Sequence, residues 1–175
     1  TPIELECTYP LPEAQLDRFL VQIDVPYPDR ATERDILLAT TGVSEEEATA
    51  VFTAEELLAA QTVLRRMPVG DSVVELLLAL VRAFRPSDTS ASQLVKDTVA
   101  WGPGPRAAQA YLMAVRDKAL IDGRLAPSTN DVIDMARPVL SHRMALGFAA
   151  RARGDSLADL IDNTAADLAR TEAAA

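Results

Sequence analysis

Arg106 lies where the sequence predicts the start of a helix, a position that favours anion binding. It follows the run Gly102–Pro105, and proline at the first helical position is preorganised for helix entry. A helix N-terminus presents unpaired N–H groups and the positive end of the helix dipole, which disfavours arginine unless something negative compensates it. A phosphate contact, which suits the planar guanidinium, would explain Arg106. The alternative is an exposed arginine neutralised by an acid such as Asp97.

Arg18 lies between a short predicted helix and a predicted strand. The helix is expected to bury Leu16 and Phe19 and to leave Arg18 on the outside, beside Asp17. A cation mounted rigidly in this way could act as an arginine finger, which stabilises a transferring phosphoryl group across a subunit interface. The alternative is a surface ion pair of Arg18 with Asp17 or Glu13, worth less than about 1 kcal/mol. Sequence spacing alone leaves both open.

The other reactive side chains do not form a catalytic set. Cys7 is the only cysteine and His142 the only histidine, so neither an intrachain disulfide nor a zinc site with two imidazoles can form. We expect His142 to lie on the polar face of a helix or to cap it rather than to act as a catalytic base, because no partner base or acid accompanies it. The sequence contains no GxxxxGK[ST] loop, no Ser/His/Asp set and no HExxH motif. We therefore predict no metal site and no complete catalytic machinery.

Composition excludes several classes of function. The 175 residues have a formal net charge of −9, which opposes broad binding to nucleic acid or anionic lipid. The longest apolar stretch, residues 73–81, is too short to span a bilayer, so we predict no membrane insertion and a cytoplasmic location. The lone cysteine fits a reducing compartment. A chain of this length is long enough to bury the core of one globular domain.

The pattern of apolar residues changes near residue 28. Before it, prolines punctuate the chain and residues 19–25 alternate with a period of two, which predicts one strand. From residue 29 onward the pattern is helical, with a long helix from Pro105 and, over 71–85, an especially apolar helix that we expect to be the most buried element. Residues that can cap a helix predict three further starts, at Asp29 or Thr32, at Thr53, and at Ser128, Thr129 or Asn130. Pro138 is expected to kink or split the last of these helices. The predicted fold is mainly α: a helical bundle over 29–175 preceded by a segment, 1–28, with a single strand. Because that strand lacks a partner and Thr1 replaces a starting methionine, we expect a piece of something longer.

Several runs of residues together resemble one family. Pro2-Ile3-Glu4 followed by Thr8–Phe19 is similar to the stretch after sensor 1 in MoxR-type AAA+ ATPases, and Gly102–Ala108 is similar to the start of their sensor 2 helix. Leu120–Arg124 and Pro138–Arg143 also resemble the lid of that family. The family's sensor 1 asparagine would stand where this sequence has Thr1, so the resemblance assigns no residue to that role.

The resemblance implies a C-terminal piece of a bacterial-type ATPase, with residues 1–28 a remnant of the nucleotide-binding core and 29–175 the helical lid. It implies that Arg18 is an arginine finger acting in trans on ATP in the neighbouring subunit of a hexameric ring. Arg106 would be sensor 2, reaching the phosphates of ATP in its own subunit. The full protein would use ATP and Mg²⁺ for chaperone-like remodelling with a von Willebrand factor A-type partner. This chain, without Walker A and Walker B, would be inactive and would bind ATP weakly if at all, so neither ATP nor Mg²⁺ is expected to be bound to it.

A second hypothesis comes from a different class of protein. The chain could be a free-standing α-helical adaptor that binds a partner protein through an exposed apolar face and has no nucleotide chemistry. The residues alone leave this alternative open, whereas the resemblance favours the ATPase.

Overall fold

The computed structural model describes residues 12–42 and 49–173, and these are mainly helical. Cys7 and the part of the first motif before Pro12 lie outside the described residues. The helices are α1 (Glu13–Leu16), α2 (Arg30–Thr40), α3 (Ala54–Arg66), α4 (Asp71–Ala83), α5 (Gln93–Thr98), α6 (Pro105–Ile121), α7 (Thr129–Leu140), α8 (Phe148–Arg153) and α9 (Leu157–Ala173). A 3₁₀ turn, Ser141–Arg143, and two short strands, β1 (Val99–Trp101) and β2 (Ala145–Leu146), are also present.

Helices begin where capping residues in the sequence predict them. The Asp29 side chain accepts a hydrogen bond from the first turn of α2. Thr53 and Glu56 cap α3 reciprocally, because each side chain accepts the other's backbone N–H. Ser128 and Asp131 form the same capping box at α7. These bonds satisfy N–H groups that a helix start otherwise leaves unpaired.

The described residues divide into two compact units, one formed by residues 12–22 with the chain from Leu64 onward and the other by Ile23–Val63. In the first unit, α7 packs against α6 and α9, and α4 packs against all three. The prediction that α4 is a deeply buried helix is confirmed. Its buried side chains are Val73, Leu76, Leu77, Leu80, Val81 and Ala83.

Polar contacts fix α6 to α7. The buried Tyr111 hydroxyl donates to the Val132 carbonyl. Arg124, just beyond α6, donates from both terminal nitrogens to the carboxylate of Asp131, at 2.7 and 2.6 Å. The Asp131 carboxylate also accepts the Ser128 N–H at 2.7 Å. Because a bidentate pair restricts both angle and distance, it fixes the register between the two helices.

In the first unit, the segment before α6 pairs with the segment after α7. β1 and β2 are antiparallel, with Val99 opposite Leu146 and Trp101 opposite Ala145. The Gly147 N–H extends this contact by donating to the Thr98 carbonyl at 2.7 Å. The pairing holds the turn that leads into α6 against the main bundle.

Two local predictions for the N-terminal segment are wrong. Residues 19–25 form no strand, because a period-two pattern needs a ladder partner and, in the described part of the chain, β1 and β2 pair with each other. Phe19, expected to face inward, is 54% exposed, because α1 ends at Leu16 and its inward face does not reach Phe19.

Pro138, expected to kink or split its helix, lies near the C-terminal end of α7, and the helix is not split there.

The second unit exposes apolar side chains. In α2 these are Ile36, Leu37 and Leu38, and in α3 they are Leu57 and Leu58, each about half exposed or more. None of the described helices is long and apolar enough to cross a membrane. The domain boundary at residue 28 stays a prediction, since compactness alone does not test it.

The contact of Asp131 with Arg124 predicts a specific response of stability to acid. The Arg124 guanidinium, with further help from Ser128, holds the pKa of Asp131 below its usual range, so the stabilisation is present above about pH 4 and lost as pH falls further. Asp131→Asn should cost roughly 2–3 kcal/mol at pH 7 in urea unfolding, and this cost should shrink below pH 4. Asp134→Asn, an exposed position of the same helix, is the control and should cost less than about 0.5 kcal/mol. A cost for Asp131→Asn that stays constant down to pH 3 would contradict the assignment.

Candidate functional site

The turn before α6 is shaped by one close backbone approach. A Cβ at Gly102 would lie 2.2 Å from the Phe84 carbonyl oxygen, so the turn requires glycine. Arg85 Nε donates to the Pro103 carbonyl at 2.8 Å and fixes the next residue. Gly104 is then the N-cap and Pro105 the first residue of α6. The predicted helix start is therefore confirmed, and Arg106 lies in its first turn.

Arg106 is exposed, and no carboxylate of the described residues forms an ion pair with it. The proposed alternative partner, Asp97, instead accepts a hydrogen bond from Gln93 Nε2 at 2.9 Å. The neutralising contact that would have made Arg106 an ordinary surface arginine is thus absent among the described side chains.

Arg18 follows α1 in a tight turn. Its N–H donates to the Gln15 carbonyl at 3.1 Å, and the Phe19 N–H donates to Leu16 in the same way. The Asp17 carboxylate, one of the alternative partners of Arg18, lies 3.3 Å from Arg143 Nε. The side chain of Glu13 lies outside what the structure describes. The Asp17–Arg18 ion pair, one of the two alternatives to the arginine-finger interpretation, is therefore not formed, and Asp17 instead contacts the distant Arg143.

Arg143 and His142 hold the turn that contains Arg18. Arg143 Nη1 donates to the carbonyls of Leu20, at 3.1 Å, and Val139, at 2.5 Å. Its Nη2 donates to the carbonyl of Phe19, and His142 Nε2 lies 3.1 Å from the same oxygen. Both side chains are buried. Sequence reasoning missed this role, although two basic residues directly after an amphipathic helix were a signal that could have been followed.

The expectation that His142 lies on a polar helix face or caps a helix is wrong, because the side chain is buried and contacts the turn that contains Arg18. Burial in the first place, and the nearby Arg143 charge, hold its pKa below the usual value, so the imidazole stays neutral at pH 7. The Phe19 carbonyl can only accept, so Nε2 is the protonated nitrogen. The other ring nitrogen, Nδ1, is buried without a hydrogen-bond partner among the described residues, which also disfavours a charged ring.

Arg18 and Arg106 line the same cleft, which has a volume of about 560 Å³. Its lining residues are Asp17, Arg18, Leu20, Arg106, Gln109, Ala110 and Arg143. The Asp17 carboxylate lies beside Arg143, which leaves Arg18 and Arg106 as the exposed cations of the cleft, and Arg106 lies in the first turn of the 17-residue helix α6. Two guanidinium groups and a helix N-terminus favour a phosphate-like anion. The described residues contain no group of three or more side chains suited to a metal ion.

Comparison with known proteins shows which family the chain resembles. A family model described as the AAA lid domain matches residues 91–164. Over 160 residues the chain is 38% identical to Chaperone MoxR1 of Mycobacterium tuberculosis, which covers 91% of this chain and 41% of that protein. The chain belongs to the MoxR-type AAA+ ATPase family. The resemblance found in the sequence and the mainly α fold of the lid are both confirmed.

Two further matches extend over most of this MoxR-type chain. Identity to the uncharacterized protein YeaC of Bacillus subtilis is 32% over 154 residues, or 87% of this chain and 45% of that protein. A crystal structure from Cytophaga hutchinsonii, of a protein provisionally described as an ATPase, superimposes with a TM-score of 0.85 at 25% identity. That match covers 94% of this chain and 50% of the other. The chain thus spans less than half the length of the two curated relatives.

The close approach at Gly102 predicts that alanine costs much more stability at Gly102 than at Gly104 in the same turn. Gly102→Ala should destabilise the fold by about 1–3 kcal/mol, because backbone atoms of Phe84 must move. Gly104→Ala, whose Cβ would meet nothing within 4 Å, should cost less than about 1 kcal/mol. Urea unfolding of the two variants measures both costs, and equal costs would contradict this account of the turn.

Proposed function

We propose that this chain is the lid-bearing part of an ATP-hydrolysing MoxR-type ring, and that its arginine cleft binds the phosphates of ATP. The observation that supports this proposal is that Arg18 and Arg106 line a single cleft without ion-pair partners among the described residues. A guanidinium that already had a carboxylate partner would bind phosphate less well, because the partner would have to be displaced. The two unpaired arginines are suited to the negative charge of a transferring phosphoryl group.

We assign both arginines to the same ATP molecule. The family resemblance assigned Arg18 to ATP of the neighbouring subunit and Arg106 to ATP of its own subunit. One cleft of about 560 Å³ favours a shared ligand, because both guanidinium groups line it. In this proposal the finger role of Arg18 is kept, and Arg106, as sensor 2, also acts on the ATP of the neighbour.

The cleft fits the phosphates of ATP better than it fits Mg²⁺. Magnesium prefers carboxylate and water oxygens, and the one carboxylate that lines the cleft, Asp17, lies beside Arg143. We propose that the ion and the Walker motifs belong to parts of the ATPase outside this sequence. The role of the ATPase would then be chaperone-like remodelling of partner proteins in the cytoplasm, including a von Willebrand factor A-type protein, by a hexameric ring.

An adaptor role is the second candidate. The apolar side chains exposed on α2 and α3 favour contact with another protein surface. This role does not explain the two arginines in one cleft, which is why we place it second. A Walker A loop encoded upstream of Thr1 in the same gene would decide for the ATPase, and its absence would decide for the adaptor.

The first test is substitution of each arginine in the ATPase that contains this chain. Arg18→Ala and Arg106→Ala should each lower ATP turnover about 10³-fold, because each removes a positive charge from the developing phosphoryl charge. Arg137→Ala, an exposed arginine of α7 whose nearest carboxylate, Asp162, is 3.5 Å away, is the control and should leave turnover unchanged. Normal hydrolysis by both cleft variants would refute the site.

Mixed rings test which subunit supplies each arginine. Subunits with Arg18→Ala, mixed with subunits that cannot bind ATP, should regain part of the activity, because the second kind presents an intact arginine to the first. If Arg106 acts on the same ATP, Arg106→Ala subunits should be rescued in the same way. If only the Arg18→Ala subunits were rescued, Arg106 would be assigned to the ATP of its own subunit instead.

The 175-residue chain by itself should neither hydrolyse ATP nor bind it tightly. Two exposed guanidiniums in an open cleft supply only part of a triphosphate site, so we expect a Kd no tighter than the millimolar range, about −4 kcal/mol. Isothermal titration calorimetry with ATP measures this. Micromolar binding would show that the cleft is a complete nucleotide site and would contradict the proposal.

A further inference from the structure

The buried guanidinium of Arg143 has an oxygen near each of its N–H groups. Nη1 donates to Val139 and Leu20, and Nη2 donates to Phe19 and, at 3.4 Å, to the Asp17 carbonyl. Nε lies 3.3 Å from the carboxylate of Asp17. An arginine has five N–H donors in a fixed plane. Here Nη1 and Nη2 make four hydrogen bonds to backbone carbonyls, whereas the buried Nε lies near the Asp17 carboxylate without a hydrogen bond to any described residue. This arrangement specifies the position of the backbone on either side of Arg18.

The contacts join two parts of the chain that are more than 120 residues apart. Arg143 lies in the 3₁₀ turn directly after α7, and its own bond to Val139 ties it to the end of that helix. A further backbone bond runs from the Gln22 N–H to the Pro138 carbonyl at 2.8 Å. The segment from Asp17 to Gln22 is thus attached at several points to the end of α7, and so to the bundle that also contains Arg106.

We propose that Arg143 is a positioning residue for Arg18, which it fixes to the helical bundle in the place where Arg18 and Arg106 face one anion. This inference rests on the proposed function, since it adds a residue that acts through Arg18. Lysine cannot replace Arg143, because an ammonium has three donors around a point charge and cannot reach oxygens on both sides of the turn. Arg143→Lys therefore keeps the positive charge but loses the hydrogen bonds that the planar guanidinium makes on both sides of the turn.

Hydrogen exchange tests the attachment itself, without any activity. In the 175-residue chain, Arg143→Lys should speed exchange of the Gln22 amide about tenfold or more, because the segment that it belongs to opens more often. The amide of Val115, buried in α6, is the internal reference for global unfolding. Arg124→Lys, which removes a bidentate contact elsewhere in the bundle, should leave Gln22 exchange unchanged relative to Val115. An unchanged Gln22 rate in Arg143→Lys would overturn the proposal.

Turnover in the ATPase that contains the chain tests whether the attachment acts through Arg18. Arg143→Lys should lower kcat about tenfold or more while KM for ATP stays within about twofold, since a displaced finger weakens the transition state more than ground-state binding. In the Arg18→Ala background the same change should have no further effect on kcat, because the residue that it positions is gone. If Arg143→Lys lowered kcat by the same factor in the Arg18→Ala background as in the unchanged protein, the proposal would be overturned.

The two tests separate this proposal from the proposed function. Normal turnover by Arg18→Ala would refute Arg18 as the arginine finger, and with it Arg143 as its positioning residue for catalysis. The exchange measurement would still decide whether Arg143 holds the segment. If Arg18→Ala is inactive but Arg143→Lys is fully active, the site assignment stands and the positioning role is wrong.

Discussion

The buried charge of Arg143 is the constraint on which the cleft depends. A guanidinium removed from water is costly unless hydrogen bonds or an opposite charge compensate it, and here four hydrogen bonds to backbone carbonyls and the nearby charge of Asp17 do so. Burial lowers the pKa of Arg143 and Asp17 opposes the shift. Because these oxygens come from the segment around Arg18, satisfying the buried charge also determines where the exposed arginine lies. The hydrogen bonds that the bundle needs in order to bury Arg143 therefore also fix the position of Arg18 in the cleft.

Local chemistry in the sequence was enough to predict most helices and the turn before α6. Asp29, Thr53 and Ser128 are capping residues whose preference depends on neighbours within one turn, so their signal does not require the tertiary structure. The same holds for the start of α6 at Pro105. The family resemblance then supplied what spacing could not, namely the assignment of roles to Arg18 and Arg106.

Contacts between distant residues could not be predicted in this way. The period-two pattern over residues 19–25 resembles a strand, yet its first two residues, Phe19 and Leu20, accept hydrogen bonds from a side chain more than 120 positions away rather than from a neighbouring strand. The pairing of β1 with β2 likewise joins two short segments whose composition gives little signal. That Arg18 and Arg106 line one cleft also depends on such contacts, since each lies on a separate element. Sequence spacing treated them as two independent sites.

Fixing both arginines to one bundle has a consequence for how a ring of such subunits could transmit a signal. A ligand shifts a conformational equilibrium only by its difference in affinity between the two states. If Arg18 and Arg106 contact the same phosphates, the loss of one phosphoryl group weakens two contacts of the same rigid bundle together. The whole difference in phosphate affinity between the two conformational states then acts on the lid. If the two arginines lay on separate bodies, each body would receive only part of that difference. Arg143, together with the backbone bond from Gln22 to Pro138, joins the Arg18 segment to α7, and these attachments make the two contacts belong to one body.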